Sequence, residues 1–257
     1  MTHAPAPSPR LIAFVDPMCS WCYGFAPVLE AIAKHYGASL PIHLVMGGLR
    51  PGTTEPMTDT MKAMIREHWE HVHTASGQPF DMAFFDRTSF TYDTDPAARA
   101  VVLMRGEFDT SPRGPTRCAA PGCEPEPASG PATGPGFPNP AKALPFFARI
   151  QQAFYAENRD VTDDRVLAEL AAEFGADTKA FAAALRHEDT RTEVLTDYTI
   201  AQRTGATGFP TMIAGFGENT PWVLVTKGYQ PAERILAMLA AWLAESAAAQ
   251  PENGLPG

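Results

Sequence analysis

The apolar pentapeptide Leu11-Ile12-Ala13-Phe14-Val15 is shut off by Asp16-Pro17, and a second apolar run, residues 42–46, ends in Gly47-Gly48. Such short runs fit β-strands buried on both faces. Between them Phe25, Val28, Leu29 and Ile32 recur at helical spacing, with Pro17 just ahead and Gly37 as a stop. Strand, helix, strand within so few residues is the signature of a parallel pair with a crossover helix, and it commits the chain to an α/β fold.

The middle of the chain is helical. Residues 61–73, 97–104, 141–158, 163–174 and 178–202 each carry apolar side chains at helical periodicity behind acidic or Thr/Asp starts, which predicts four or five helices. Residues 211–214 and 222–226 then read as two antiparallel strands around a Gly-rich turn. A closing helix starts at Pro231, with Ile235, Leu236, Leu239, Trp242 and Leu243 on one face and a frayed tail after Gln250. Of the 45 Gly and Pro residues, fifteen fall between Gly106 and Pro140, so residues 106–140 are expected to form a mobile loop.

Composition narrows the partners. The formal charge of -9, with 20 Lys+Arg against 29 Asp+Glu and no basic run, lacks the footprint of a nucleic-acid or anionic-membrane binder. The longest apolar stretch, residues 235–244, is half of what a membrane-spanning helix needs. The short apolar run at residues 11–15 is no secretory signal, which points to the cytoplasm, where paired cysteines more often mean redox or metal chemistry than a structural staple.

Cys19-Ser20-Trp21-Cys22 falls at the junction of the first strand and first helix. A helix N-terminus offers unpaired amides and positive potential that favour a thiolate, so Cys19 is the expected reactive thiol. Cys22, one turn along, can reach Cys19 and close a small disulfide, which suits a resolving role. The competing use of the motif is half of a zinc site, completed by Cys118 and Cys123. Four residues lie between that second pair, inside the breaker-rich stretch, which weighs against zinc.

The order of these elements, with Gly208-Phe209-Pro210-Thr211 ahead of the last two strands, resembles the DsbA-like thiol oxidoreductases, which have a thioredoxin-like fold interrupted by an inserted helical domain. The blocks from Asp16 to Phe25, Met46 to Gly52, Arg66 to Trp69 and Thr207 to Thr211 are similar to the FrnE-like cytosolic branch of that family. The resemblance implies a thioredoxin-like domain at residues 10–54 and 204–247, a helical insertion at 55–203, and a disulfide reductase, oxidase or isomerase acting on protein thiols or glutathione without a cofactor. It further implies Cys19 as nucleophile, Cys22 as resolving thiol and Pro210 as a cis-proline. Backbone at Phe209 would pair with substrate, and Trp21 and Thr211 would line the groove. The segment from Glu107 to Asn139 departs from the family pattern.

Kappa-class glutathione transferases and 2-hydroxychromene-2-carboxylate isomerases share this fold but as groups use serine where Cys19 stands, so the cysteine pair argues against that alternative. Glu67, His68, His71 and His73 share a helix face at ligand-like spacing, yet no companion ligand set accompanies them and a solvated face is the simpler account. The Gly-rich run from Gly215 lacks the third glycine of a dinucleotide fingerprint and leads into a strand. Met57, Met61 and Met64 read as core or groove lining.

Overall fold

The computed structural model describes residues 8–106, 140–217 and 221–248. The Pro/Gly-rich stretch at 107–139, with Cys118 and Cys123, lies outside the described residues, as does the tail beyond 248. The fold is mixed α/β and thioredoxin-like. β1 (Arg10–Val15) leads into α1 (Ser20–Tyr36), then β2 (Ile42–Met46), and β2 pairs with β1 in parallel, with Val15 opposite Met46. Late in the chain β3 (Thr211–Gly215) and β4 (Val223–Lys227) complete a four-stranded sheet in the order β2-β1-β3-β4, both added antiparallel. The closing helix α8 is Ala232–Ala248.

The two-residue period of a strand explains why β1 has no polar face. Leu11, Ala13 and Val15 join the main core with α1 and α8, whereas Phe14 packs with Val45, Ala201 and Ala206 on the opposite face. Between Met212 and Ile213 the β3–β4 register slips, so Ile213 faces Leu224 while Met212 faces Thr226.

Among the described residues six α-helices lie between β2 and β3: α2 (Asp59–Ser76), α3 (Asp95–Arg105), α4 (Pro140–Tyr155), α5 (Asp164–Ala172), α6 (Thr178–Leu185) and α7 (Glu188–Arg203). The single helix expected over 178–202 is therefore two. His187 caps α7 by accepting from the Asp189 amide at 3.3 Å, Glu188 and Asp189 suit the positive end of the new helix, and Thr190 Oγ1 donates to Ala184 O at 2.8 Å across the corner. The turn lets α6 bury Phe181 and Leu185 against α5 while α7 lays Val194, Tyr198 and Ala201 toward α3 and β2.

Trp69 anchors the helical layer, fully buried and ringed by Phe80, Phe84, Phe85, Phe154 and Tyr155 at centroid distances of 4.8–6.0 Å. Glu67, His68, His71 and His73 lie on the exposed side of α2, and among the described residues no three His, Cys, Asp or Glu side chains come together as a metal site. Nor is any described helix long and apolar enough to cross a membrane.

Candidate active site

Cys19 is the N-cap of α1, in extended backbone, and its side chain makes no capping bond to the helix amides. No acidic residue stands in the first turn, so the positive end of the helix is uncompensated there. Cys19 keeps 7% of its surface exposed and Cys22, one turn along, none; both are free thiols. Burial pushes the Cys22 thiol well up, reinforced by its hydrogen bond with Cys19. Cys19 is thus the less enclosed of the two cysteines.

The second wall comes from almost two hundred residues away. The Phe209–Pro210 peptide is cis, and Cys19 Sγ lies 3.6 Å from Phe209 O. Thr211 is buried and its Oγ1 donates to Gly208 O at 2.7 Å, which braces the loop. The Phe209 ring packs onto Gly47, where any Cβ would run into it. Trp21 is half-buried with its ring 6.0 Å from Tyr229, and Tyr229 follows Gly228, whose amide donates to Pro210 O at 2.7 Å. The structure therefore gathers Cys19, Cys22, Trp21, Phe209, Pro210 and Thr211 at one end of the sheet.

Several residues that sequence patterns do not single out complete the site. Asp16, fully buried just below Cys19, accepts from the amides of Met18 at 2.9 Å and Leu49 at 2.8 Å, which ties the cysteine turn to the loop after β2. Burial pushes its carboxyl up to about 6 against those amide bonds. Tyr92 Oη donates to Met18 O at 2.7 Å and lies 3.4 Å from Tyr155 Oη; burial pushes both phenols up, so they stay neutral braces. An aspartate directly after a buried strand and three residues before the first cysteine is the one such signal visible in the sequence.

Comparison with known proteins gives the chain its family. A candidate protein disulfide isomerase from Nitrosomonas europaea is 32% identical, with 93% of this chain and 98% of that chain covered and a TM-score of 0.73. A model of the DSBA-like thioredoxin domain matches residues 141–236. The chain belongs to the DSBA-like thioredoxin family. Another structure similar to this DSBA-like chain is the cytosolic disulfide reductase DsbM from Pseudomonas aeruginosa with GSH, at 25% identity, 91% and 99% coverage and a TM-score of 0.64. A 2-hydroxychromene-2-carboxylate isomerase shares the fold alone, at 14% identity, 93% and 98% coverage and a TM-score of 0.55. No curated protein matches the chain.

Proposed function

We propose that this DSBA-like protein is a thiol-disulfide oxidoreductase of the FrnE-like branch in which Cys19 is the nucleophile and Cys22 the resolving thiol. The observation that carries the proposal is the pairing of an N-cap cysteine that keeps 7% of its surface exposed with a fully enclosed one, the N-cap sulfur lying 3.6 Å from the carbonyl that precedes Pro210. The Cys19 thiolate attacks one sulfur of a substrate disulfide, forming a mixed disulfide and expelling the other sulfur as thiolate. Cys22, once deprotonated, attacks Cys19 Sγ, releases the second substrate thiolate and leaves an intramolecular disulfide, so two electrons pass to the substrate. Run backwards, the same steps oxidise a dithiol.

Backbone at Phe209 offers an edge for an extended substrate segment, and Trp21 with Tyr229 supplies an apolar flank. The substrate class is protein disulfides or glutathione, in keeping with the GSH present in the P. aeruginosa structure, and the cytosolic description of that neighbour supports a cytoplasmic site of action. We assign the chemistry to a thioredoxin-like domain at residues 10–54 and 204–247, with the helices at 55–203 as an insertion that roofs it. The isomerase-type alternative is disfavoured by cysteine at position 19.

The test is trapping. Cys22→Ser should accumulate mixed disulfides with substrate and Cys19→Ser should accumulate almost none, because only the attacking thiol forms the adduct. In the reduced protein, iodoacetamide should modify Cys19 first. Equal trapping by both variants, or first labelling at Cys22, would refute the assignment.

A further inference from the structure

The loop Gly47–Arg50 runs along the redox centre between two of its walls. Gly47 N donates to Val15 O at 2.7 Å and the residue packs under the Phe209 ring, while Leu49 N is held by the Asp16 carboxyl that also holds Met18. Arg50 is the last residue of this loop, and its backbone is fixed on both sides: its amide donates to Thr94 Oγ1 at 3.1 Å, and its carbonyl accepts from Thr53 Oγ1 at 3.0 Å and from the Thr94 amide at 3.4 Å. The side chain is not fixed in the same way. It is half-buried, reaches toward α2 with Nη2 4.0 Å from Met61 Sδ, and among the described residues has no carboxylate within ion-pairing distance. The Arg50 backbone directly follows Leu49, whose amide shares the Asp16 carboxyl with the amide of Met18, the residue before Cys19.

A guanidinium that is half-buried, backbone-anchored, without a carboxylate among the described residues and carried on the loop tied to the cysteine turn is suited to a ligand carboxylate, for which its planar fork is the best protein partner. Among the described residues Arg99, Arg105, Arg149, Arg159, Arg165 and Arg186 hold carboxylates at 2.6–2.8 Å, whereas Arg50, like Arg10, Arg66, Arg87, Arg191, Arg203 and Arg234, does not; of these Arg50 is the one that follows Leu49, whose amide is held by the Asp16 carboxyl. We propose that Arg50 anchors the carboxylate of a small anionic thiol or disulfide such as glutathione, orienting its sulfur toward Cys19. This rests on the redox reading of Cys19 and Cys22 and adds to it a choice among substrates: carboxylate-bearing disulfides are favoured over neutral ones of similar size.

The experiment mixes fully reduced protein with excess disulfide in single turnovers and follows the loss of protein thiols. The dithiol gives two electrons to the added disulfide, yielding the intramolecular disulfide and two small thiols. Glutathione disulfide is compared with neutral bis(2-hydroxyethyl) disulfide. Arg50→Gln should raise the half-saturating concentration of glutathione disulfide about tenfold, with the saturated rate within about twofold and the neutral disulfide unaffected. Arg50→Lys should recover part of the loss, and added salt should weaken glutathione disulfide in the native protein but not in Arg50→Gln. An unchanged half-saturation in Arg50→Gln, an equal loss with both disulfides, or no recovery by Arg50→Lys overturns the proposal while leaving the redox reading intact. Failure of the native protein to oxidise with either disulfide overturns the redox reading and this proposal with it.

Discussion

Asp16 carries the clearest pH signature of any single residue. Burial pushes its carboxyl up to about 6 from 3.8 because the charged form is disfavoured inside the protein, even with the Leu49 and Met18 amides on its oxygens. The folded chain therefore holds this proton more tightly than the unfolded chain does. The resulting stabilisation is fully present below about pH 4 and is lost as pH rises through about 6, a change of about 3 kcal/mol for a two-unit shift. Asp16→Asn should flatten that decline, measured as the difference between native and variant urea-unfolding free energies at about pH 4 and about pH 8. An equal decline in both proteins would contradict the prediction. The cysteines could be read from the sequence because their spacing and their place on a strand-to-helix turn are local facts. Pro210 needed the likeness to a family, since nothing near residue 210 announces a partner at residue 19. Tyr92 and Tyr229 were invisible for the same reason, and Arg50 showed only as part of the family-like block Met46 to Gly52: their contacts are fixed by the tertiary fold, through partners such as Met18, Trp21 and Thr94.

At the scale of elements, strands and long helices were legible because burial imposes their periods, and β1, β2, β3 and β4 fall where the apolar runs stand. The α6–α7 corner was not, since no Gly or Pro marks it and the apolar period runs on through residues 178–202. The chain is bent there by polar contacts between neighbours, of which the buried bond from Thr190 Oγ1 to Ala184 O is the most enclosed. Thr190→Val keeps the volume but removes the donor, leaving a carbonyl that must do without it. The expected loss is roughly 1–2 kcal/mol of unfolding free energy, read from the urea midpoint at unchanged slope. The rate of Cys19 oxidation by a disulfide should not change, because the corner supplies none of the contacts that hold the thiols, Asp16 or the Pro210 loop. A variant as stable as the native protein would show that backbone sterics alone set the corner.

For the molecule as a whole, the question is how the helices between β2 and β3 are held to the sheet. β2 is a terminal strand, and two of its main-chain groups are bonded from the helices: Met46 N donates to Asp197 Oδ2 at 2.8 Å, and Leu44 O accepts from Arg105 Nη1. Arg105 on α3 and Asp197 on α7 also pair with each other through two contacts, at 2.8 and 3.1 Å, with Asp197 only 1% exposed. One ion pair thus joins two helices to the strand that leads into Gly47–Arg50. Burial raises the Asp197 carboxyl in spite of the adjoining guanidinium, so desolvation outweighs the attraction. Such a pair fixes geometry more than it adds stability, and the two kinds of substitution should separate these effects. Asp197→Leu alone breaks the buried pair from one side and should cost roughly 3–5 kcal/mol, whereas Arg105→Met with Asp197→Leu should recover most of that loss. Because Met46 N then loses its acceptor at the mouth of the site, the double variant should remain folded yet react more slowly with disulfides, through a looser Gly47–Arg50 loop. Full stability combined with native reaction rates in the double variant would show that the pair has no part in positioning the site, and equal destabilisation by single and double changes would show that its attraction, not the cost of breaking it from one side, holds the helices to the sheet.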